Sequence, residues 1–466
     1  METPSDTDHS PARAVDMVLE AIRHAVSSGV GAGHAQLPHQ LAEADFSPSA
    51  LGARQDADPS WWNLERRGAS FVDVDFSNRD LHRVNMYRAD LRRASFDGAK
   101  AQEIDFRSTC LSDASLQDAD LRFANLTTAD LRGADLDRAD LWRAGMGKAD
   151  LSEASLRDVR MAGATLEAAT LDRVNATGAD FEGAILGGAS LRDATAPRSN
   201  FRDADLDGAQ LQGGMFFGAD FSGARLRGAD LSGASLGSVS FRNAILKNAV
   251  LRDLQLSDCD MTGAFLAGAK LEGAEIAQRQ LGGKVGEELE RDYEGARRAY
   301  RGLRQAFEAL GDDRAASWAY RRMQRMQRRQ HKAAAVAAWK RKDLGVALVE
   351  GTRSIRDLFV EWTCDYGDSV GRVMLSLLAV FVVFGVIYGV TGSVVSTAGA
   401  GGPPVVIRSP YRVSVFALTA LLTGGNPGDL QPRNDFAQIL IGSQAFLGIA
   451  LTGLLGFVVG TKIRRS

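Results

Sequence analysis

From Phe71 to Ile276 the chain repeats one hydrophobic pattern every five residues. Of the 42 positions whose numbers end in 1 or 6, 39 are Leu, Phe, Met or Ile, and the other three are Ala101, Ala176 and Ala196. Two residues earlier, thirty of 42 positions are alanine, and no insertion breaks the register. A period of five is neither helical nor a plain strand alternation. In "ADLRGADLDRADL" (Ala129 to Leu141) an alanine and a leucine two apart point to the same side of an extended segment. Asp130, Arg132 and Gly133 then fall outside or in a corner. A chain that points inward twice and turns, every five residues, winds into a coil around its own side chains. Stacked leucines form a continuous column, and alanine fills the second inward site because the interior has room for one large group per side. Arg79 is the one charged residue at that small site, which predicts an irregular first coil. Trp61 and Trp62 stand where they can cover the N-terminal end.

After Gly282 and Gly283 the periodicity becomes helical. "EELERDYEGARRAYRGLRQAFEAL" (Glu287 to Leu310) spaces Leu289, Tyr293, Tyr300, Leu303 and Phe307 at helical intervals, with acids early and arginines late. "GDD" (Gly311 to Asp313) ends that helix and can cap the next. From Arg314 to Lys342 there are ten Lys or Arg and no acid, and Arg321, Arg325, Arg328 and Lys332 share one helical stripe. The stripe reads as a contact for anionic lipid or another subunit, with a solvated face as the plain alternative. Nucleic acid is the weaker reading, because no zinc motif or aromatic stacking set accompanies it.

Two uncharged runs follow, Val373 to Ile407 and Phe436 to Thr461. Each contains enough residues for a helix to cross a bilayer, which takes ~20 residues. Between them "TALLTGGNPGDLQP" (Thr419 to Pro432) closes a third uncharged run, Val413 to Gly428, too short to cross. Basic residues flank both spans, Lys340 to Lys342, Arg353, Arg356 and Arg372 before the first and "KIRR" (Lys462 to Arg465) after the second. Both ends are therefore expected on the cytoplasmic side. Non-helical backbone at membrane depth is tolerated only when buried in protein or lining water. A short helix, about Tyr411 to Thr423, followed by a glycine loop fits a re-entrant pore loop. Two spans cannot enclose a pore alone, so the unit is expected to be a homo-oligomer. The domains read as 1–68, a partly disordered segment with a short helix near Ala12 to Val26; 69–281, the coil; 284–345, a basic α-helical hairpin; 346–369, an amphipathic membrane-proximal linker; and 370–466, the two-span pore-loop domain.

Composition changes this picture little. The 466 residues carry a formal charge of −3. Cys110, Cys259 and Cys364 lie far apart and suit a reducing compartment. The first residues, "METPSDTDHSPARA", have acids and no apolar core, so no cleavable signal peptide is expected. The six histidines show no ligand spacing, and no nucleotide loop or catalytic triad motif is present. The chain reads as a non-enzyme without a cofactor or bound metal.

The five-residue pattern resembles the pentapeptide-repeat family, whose motif is A(D/N)LXX, over roughly residues 69–281. The resemblance implies a right-handed quadrilateral β-helix with four pentapeptides per coil. Some members mimic DNA through an acidic face; here 32 acids face 25 Lys and Arg over residues 69–280, which makes that reading weak. Residues 370–465 resemble the two-transmembrane potassium-channel family of the ion channel 2 type, in the bacterial subgroup that carries pentapeptide repeats. "CDYGDSVGRVML" (Cys364 to Leu375) is similar to the segment leading into that subgroup's first span. Gly428, Asp429, Leu430, Gln431 and Pro432 match the end of the family's filter, T-x-G-Y-G-D and onward. Asn426 and Pro427 stand where the family has Gly-Tyr, and Gly424 and Gly425 replace its Thr-Val. Proline fixes φ and has no N–H, so the family's carbonyl ladder is hard to build.

The resemblance implies a tetrameric inner-membrane pore for K⁺ or Na⁺, with the β-helix in the cytoplasm. The expected ion path comprises Thr423, Gly424, Gly425, Asn426, Pro427, Gly428 and Asp429, with Asp429 as a mouth ring. Gly448 falls where the family often has a gating hinge, and close helix packing is its other reading. The rival to a channel is a membrane-anchored scaffold whose β-helix recruits an unknown cytoplasmic partner.

Overall fold

The computed structural model describes residues 15–18, 20–21, 44, 62–63, 68–367, 369–396, 405–423 and 430–465. The chain divides into two compact units, Met1–Ala316 and Ser317–Ser466. The division falls inside the stretch 284–345 expected as one hairpin. Residues up to 309 pack on the end of the coil, whereas those after 317 pair with the helix that follows them.

In the first unit single parallel bridges join the residue between each pair of inward-pointing side chains to the one twenty further on, with a gap at Ser235 and Gln255. Ser70 pairs with Asp90, Asp75 with Ser95, and the ladder continues to Gln255 with Glu275. Five residues per side make four sides per coil, so the four-sided β-helix forms as its sequence dictates. Each corner is a turn closed between the large residue and the small one. Ala89 N–H donates to Met86 O at 2.9 Å, and Arg88 between them has φ 62°. Positive φ at the third residue alone is the mark of a type II turn. At Gly223 that demand is doubled: φ is +72°, and a Cβ would lie 2.1 Å from Asp203 Oδ1 of the preceding coil.

Where an aspartate precedes the large inward residue, it folds back over the corner. Asp75 Oδ1 accepts from Ser77 N–H at 2.8 Å and Asp105 Oδ1 from Arg107 N–H at 3.1 Å. Arginines two residues on close over the same carboxylates, as Arg122 Nη2 does on Asp120 at 2.7 Å. Others reach across coils, Arg93 to Asp73 at 2.7 Å and Arg138 to Asp118 at 2.7 Å. The guanidinium hydrogen bonds hold the Asp73 and Asp118 carboxyls below the usual range. Exposed pairs of this kind contribute little stability, but they neutralise the acids that a DNA-like face would have to present.

The interior is mostly apolar. Phe181, Phe201, Phe221 and Phe241 stack one coil apart, with ring centroids at 4.8, 4.7 and 5.4 Å. The first two spacings equal the ~4.7–4.9 Å between neighbouring strands and the third is slightly wider, and the rings lie nearly parallel along the column. Ala101, Ala176 and Ala196 fill the same kind of site and are buried. The irregularity expected at Arg79 is absent from the main chain. Arg79 N–H donates to Phe76 O at 3.2 Å and its carbonyl accepts from Lys100 N–H at 2.9 Å. Near the end of the stack the long side chain stays half-buried without disturbing the turn.

At the N-terminal side Trp62–Asn63 (β1) pairs antiparallel with Gly68–Ala69 (β2). Trp61 and the Trp62 side chain lie outside the described residues. Ala44 is buried, and its carbonyl accepts from Asn85 N–H at 2.8 Å. Residues 15–18 and 20–21 are helical, inside the expected Ala12 to Val26 stretch, and Val15 and Val18 are buried.

The C-terminal end of the coil is closed by a 3-10 turn (Gln278–Leu281), α1 (Gly286–Leu289) and α2 (Tyr293–Ala309). The Gln280 amide donates to the carbonyls of Leu256 and Cys259, and at Cys259 it replaces the main-chain donor of a next coil. Glu287 Oε1 accepts from the Ala267 N–H at 2.6 Å, a donor that Phe265, unlike an aspartate at that position, cannot satisfy. Burial pushes the Glu287 carboxyl upward. The Tyr300 hydroxyl donates to Glu288 Oε2 at 2.7 Å inside this cap.

The second unit continues from α3 (Asp313–Lys340) through α4 (Leu344–Cys364), α5 (Val370–Thr391), α6 (Pro410–Thr423) and α7 (Asp435–Arg465). A small antiparallel sheet of β3 (Val394–Ser396), β4 (Val405–Val406) and β5 (Leu430–Pro432) has β3 at its centre. Among the described residues two helices are long and apolar enough to cross a membrane, Val370–Thr391 and Asp435–Gly460.

Candidate functional site

A 14-residue helix, α6, is too short to cross a bilayer and packs between the two long apolar helices. Its extent, Pro410–Thr423, matches the short helix expected from sequence. Phe416, Ala417 and Ala420 of α6 share a core with Tyr388 of α5 and Ile441 of α7. Tyr388 and Phe416 meet edge to face at 5.3 Å.

One polar chain runs through this core. The Tyr388 hydroxyl donates to Gln444 Oε1 at 2.9 Å, and Gln444 Nε2 donates to Ala417 O at 2.8 Å. Gln444 is fully buried, so its amide ties all three helices in a setting without competing water. Nothing in the periodicity singled out Gln444; an amide within the uncharged run, shared only with Gln438, was the available signal.

Gly448 sits one turn further along α7. A Cβ there would lie 2.1 Å from Leu421 O. Glycine at this position lets the last turn of α6 rest directly on α7. By contrast, an added Cβ at Gly453, Gly456 or Gly460 would meet nothing within 4 Å.

Thr423 ends α6, exposed, its hydroxyl donating to Thr419 O at 2.9 Å. Gly424, Gly425, Asn426, Pro427, Gly428 and Asp429 lie outside the described residues. The chain on both sides of them is anchored. Leu430 pairs with Ser396 and Pro432 with Val394. Asn434 then opens α7, its Oδ1 accepting from Ala437 N–H at 3.0 Å. Hydroxyls in these helices bond back one turn, Thr391 to Ile387 O at 2.7 Å, Ser443 to Ile439 O at 2.9 Å and Thr452 to Gly448 O at 2.7 Å.

A second polar cluster links α3 and α4. Arg325 meets Glu361 at 2.9 Å and Asp365 at 3.3 Å, Arg328 meets Glu361 at 3.0 Å, and Arg321 lies 4.0 Å from Asp365. His331 Nδ1 is 2.6 Å from Glu350, and Nε2 is 3.9 Å from Asp357. The arginine stripe thus finds its partners within the chain, where lipid or another subunit was expected; Lys332 remains exposed. The acids at 350, 357, 361 and 365 recur at helical spacing on one face of α4, a signal that was legible beside the arginines. Hydrogen bonding to the His331 ring holds the Glu350 carboxyl low, and burial pushes the Tyr366 phenol up. No group of three or more possible metal ligands occurs among the described residues.

The family model for pentapeptide repeats matches in eight copies between residues 69 and 278. Among solved structures, HetL, a pentapeptide repeat protein involved in heterocyst differentiation regulation from the cyanobacterium Nostoc sp. strain PCC 7120, is 31% identical. The match covers 44% of this chain and 88% of HetL, with a TM-score of 0.26. A pentapeptide repeat protein of the Arabidopsis thaliana thylakoid lumen is 30% identical over 23% of this chain and 70% of its own, with a TM-score of 0.20. QnrB1, a plasmid-mediated fluoroquinolone resistance protein, is 21% identical over 47% of this chain and 95% of its own, with a TM-score of 0.22. Comparison with curated proteins finds no match.

Proposed function

The chain belongs to the pentapeptide-repeat family, and from that premise we propose that it is the subunit of an oligomeric cation pore carrying a cytoplasmic β-helix. The observation that carries this reading is the short helix α6, held between two helices of span length by the Gln444 amide and by contact at Gly448. A helix that enters and returns without crossing leaves its following residues at membrane depth, where irregular backbone must line water or lie within protein. Four copies around an axis would bring Thr423 and residues 424–429 together, with backbone carbonyls and the Asn426 side chain as the narrow ring. Asp429 would raise the local cation concentration at the mouth. Pro427 departs from the potassium filter, so the proposal names monovalent cations, K⁺ or Na⁺, as the permeant class. Basic flanks at Lys340–Lys342 and Lys462–Arg465 favour both termini on the cytoplasmic face of the inner membrane.

The test is flux through the purified full chain in liposomes, with potassium, sodium and calcium exchanged in turn, alongside its mass in mild detergent. A ring of subunits that passes monovalent cations, with flux and its salt dependence altered by Asp429→Asn, supports the pore. A monomer that passes no ion supports the membrane-anchored scaffold instead.

A further inference from the structure

Helix α4 has two unlike faces. One carries Glu350, Asp357 and Glu361, and meets the α3 arginines and His331. The other carries Leu344, Leu348, Ile355, Phe359 and Trp362, at steps of four, seven, four and three residues, which keep one side of a helix. All five are exposed, Leu348 by 71%, Ile355 by 68% and Trp362 by 60%. Such a contiguous apolar stripe marks a contact surface.

We infer that α4 lies along the bilayer surface, with this stripe sunk among the lipid headgroups and upper acyl chains. The inference rests on the membrane reading above and assigns a lipid-binding face that the reading does not require. Three features favour lipid as the occupant. The stripe is continuous with a span, because α5 begins at Val370, only six residues after α4 ends at Cys364. The joint between them is built to change direction: Asp365, Tyr366 and Gly367 hold φ of 49°, 60° and 91° in succession. Arg372 fixes the bend by donating to Glu361 O at 3.1 Å. The exposed Lys340, Arg341 and Lys342 stand at the start of α4 and complement anionic headgroups. Trp362, near the span, has the amphipathic ring that favours the interfacial layer. A helix apolar on one side and charged on the other lies in that plane. The acids and the α3 arginines then face the cytoplasm.

The test places a nitroxide on single cysteines introduced as Leu348→Cys, Ile355→Cys, Arg353→Cys and Val383→Cys in the full chain. The native Cys110, Cys259 and Cys364 are buried, which keeps labelling selective. The vesicles are mixed phosphatidylcholine and phosphatidylglycerol. Lipid contact gives Leu348 and Ile355 labels a several-fold higher ratio of oxygen to nickel-chelate collisions than Arg353, at a shallower depth than Val383. Nickel accessibility at Leu348 and Ile355 overturns the inference in favour of solvent. Dipolar broadening between labels, with neither reagent reaching them, overturns it in favour of a second copy. Loss of bromolipid quenching in Trp362→Phe relative to the parent provides an independent readout, and equal quenching counts against it. If Val383 is itself open to the nickel chelate, the membrane reading fails too; if Val383 is lipid-immersed and Ile355 is not, only this inference fails.

Discussion

The hydroxyl of Tyr388 donates to the side-chain amide of Gln444 at 2.9 Å, and that amide passes the connection on to Ala417 O. One residue of α7 thereby holds both the first long helix and the short one. Removing a partner leaves a buried polar atom unsatisfied, at a cost of roughly 1–3 kcal/mol in water-excluded protein, with membrane cases averaging ~0.6 kcal/mol. Tyr388→Phe should therefore lower the midpoint of thermal unfolding in detergent modestly. Gln444→Leu, which strands the Tyr388 hydroxyl and the Ala417 carbonyl together, should lower it more. Equal midpoints for all three proteins would show that the connection contributes nothing.

Gly448→Ala should be disruptive although alanine is the better helix former. Its Cβ would press on Leu421 O, and main chain cannot yield as a flexible side-chain tip does. Gly453→Ala, which meets open space, is the control and should be neutral or gain up to ~1 kcal/mol from propensity. The measurement is the unfolding midpoint of both variants side by side, with flux as a second readout.

The α3–α4 pairing can be read by a double-mutant cycle. Arg325→Ala and Glu361→Ala should each destabilise, and the double variant should cost less than their sum because the pair is half-buried. A coupling of about 1 kcal/mol is expected for a pair in this setting, and it should shrink in high salt. Strict additivity would mean that the contact carries no energy.

At the end of the coil, Glu287→Gln should stabilise the protein at neutral pH. Burial raises the Glu287 pKa, so the folded state binds the proton more tightly than the unfolded chain. Stability is thus present at pH below the ordinary glutamate range and declines as pH rises toward the raised folded value. Glutamine keeps the acceptor for Ala267 N–H and removes the titration. The advantage of the variant should be absent near pH 4 and grow toward neutrality, as read from unfolding midpoints across pH.

The Cys259 thiol is pushed up to about 11 by burial and donates to Leu236 O at 3.0 Å. At pH 7.5 the native protein should react with iodoacetamide at Cys259 only as fast as it unfolds. Mass spectrometry after timed quenching measures this; prompt labelling would contradict the buried placement.

The coil was legible from sequence because one spacing serves both layers of its structure. Every fifth residue must be large, every corner must turn, and both demands recur without a break from Phe71 to Ile276. The closing devices were harder to see. Gln280 and Glu287 look like ordinary surface residues, and their roles arise only where the Cys259 carbonyl has no next coil and Phe265 leaves the Ala267 N–H without an aspartate. Ala44 likewise serves Asn85 through its backbone, which carries no sequence signature. In the second unit the length of α6 followed from its pattern of apolar residues. The destination of Arg325 and Arg328 did not, because reading one stripe alone hides the complementary stripe at Glu361 and Asp365.

The twenty-residue step between bridged residues also restricts how this rod can grow or shrink. Losing a single residue would swing every later leucine out of the column, so tolerated changes come in quanta of five. One added pentapeptide turns the exit of the chain by a quarter of a revolution, and only a whole extra coil returns it to its former heading. Length and the bearing of whatever follows are therefore geared together, like the thread and the head of a screw.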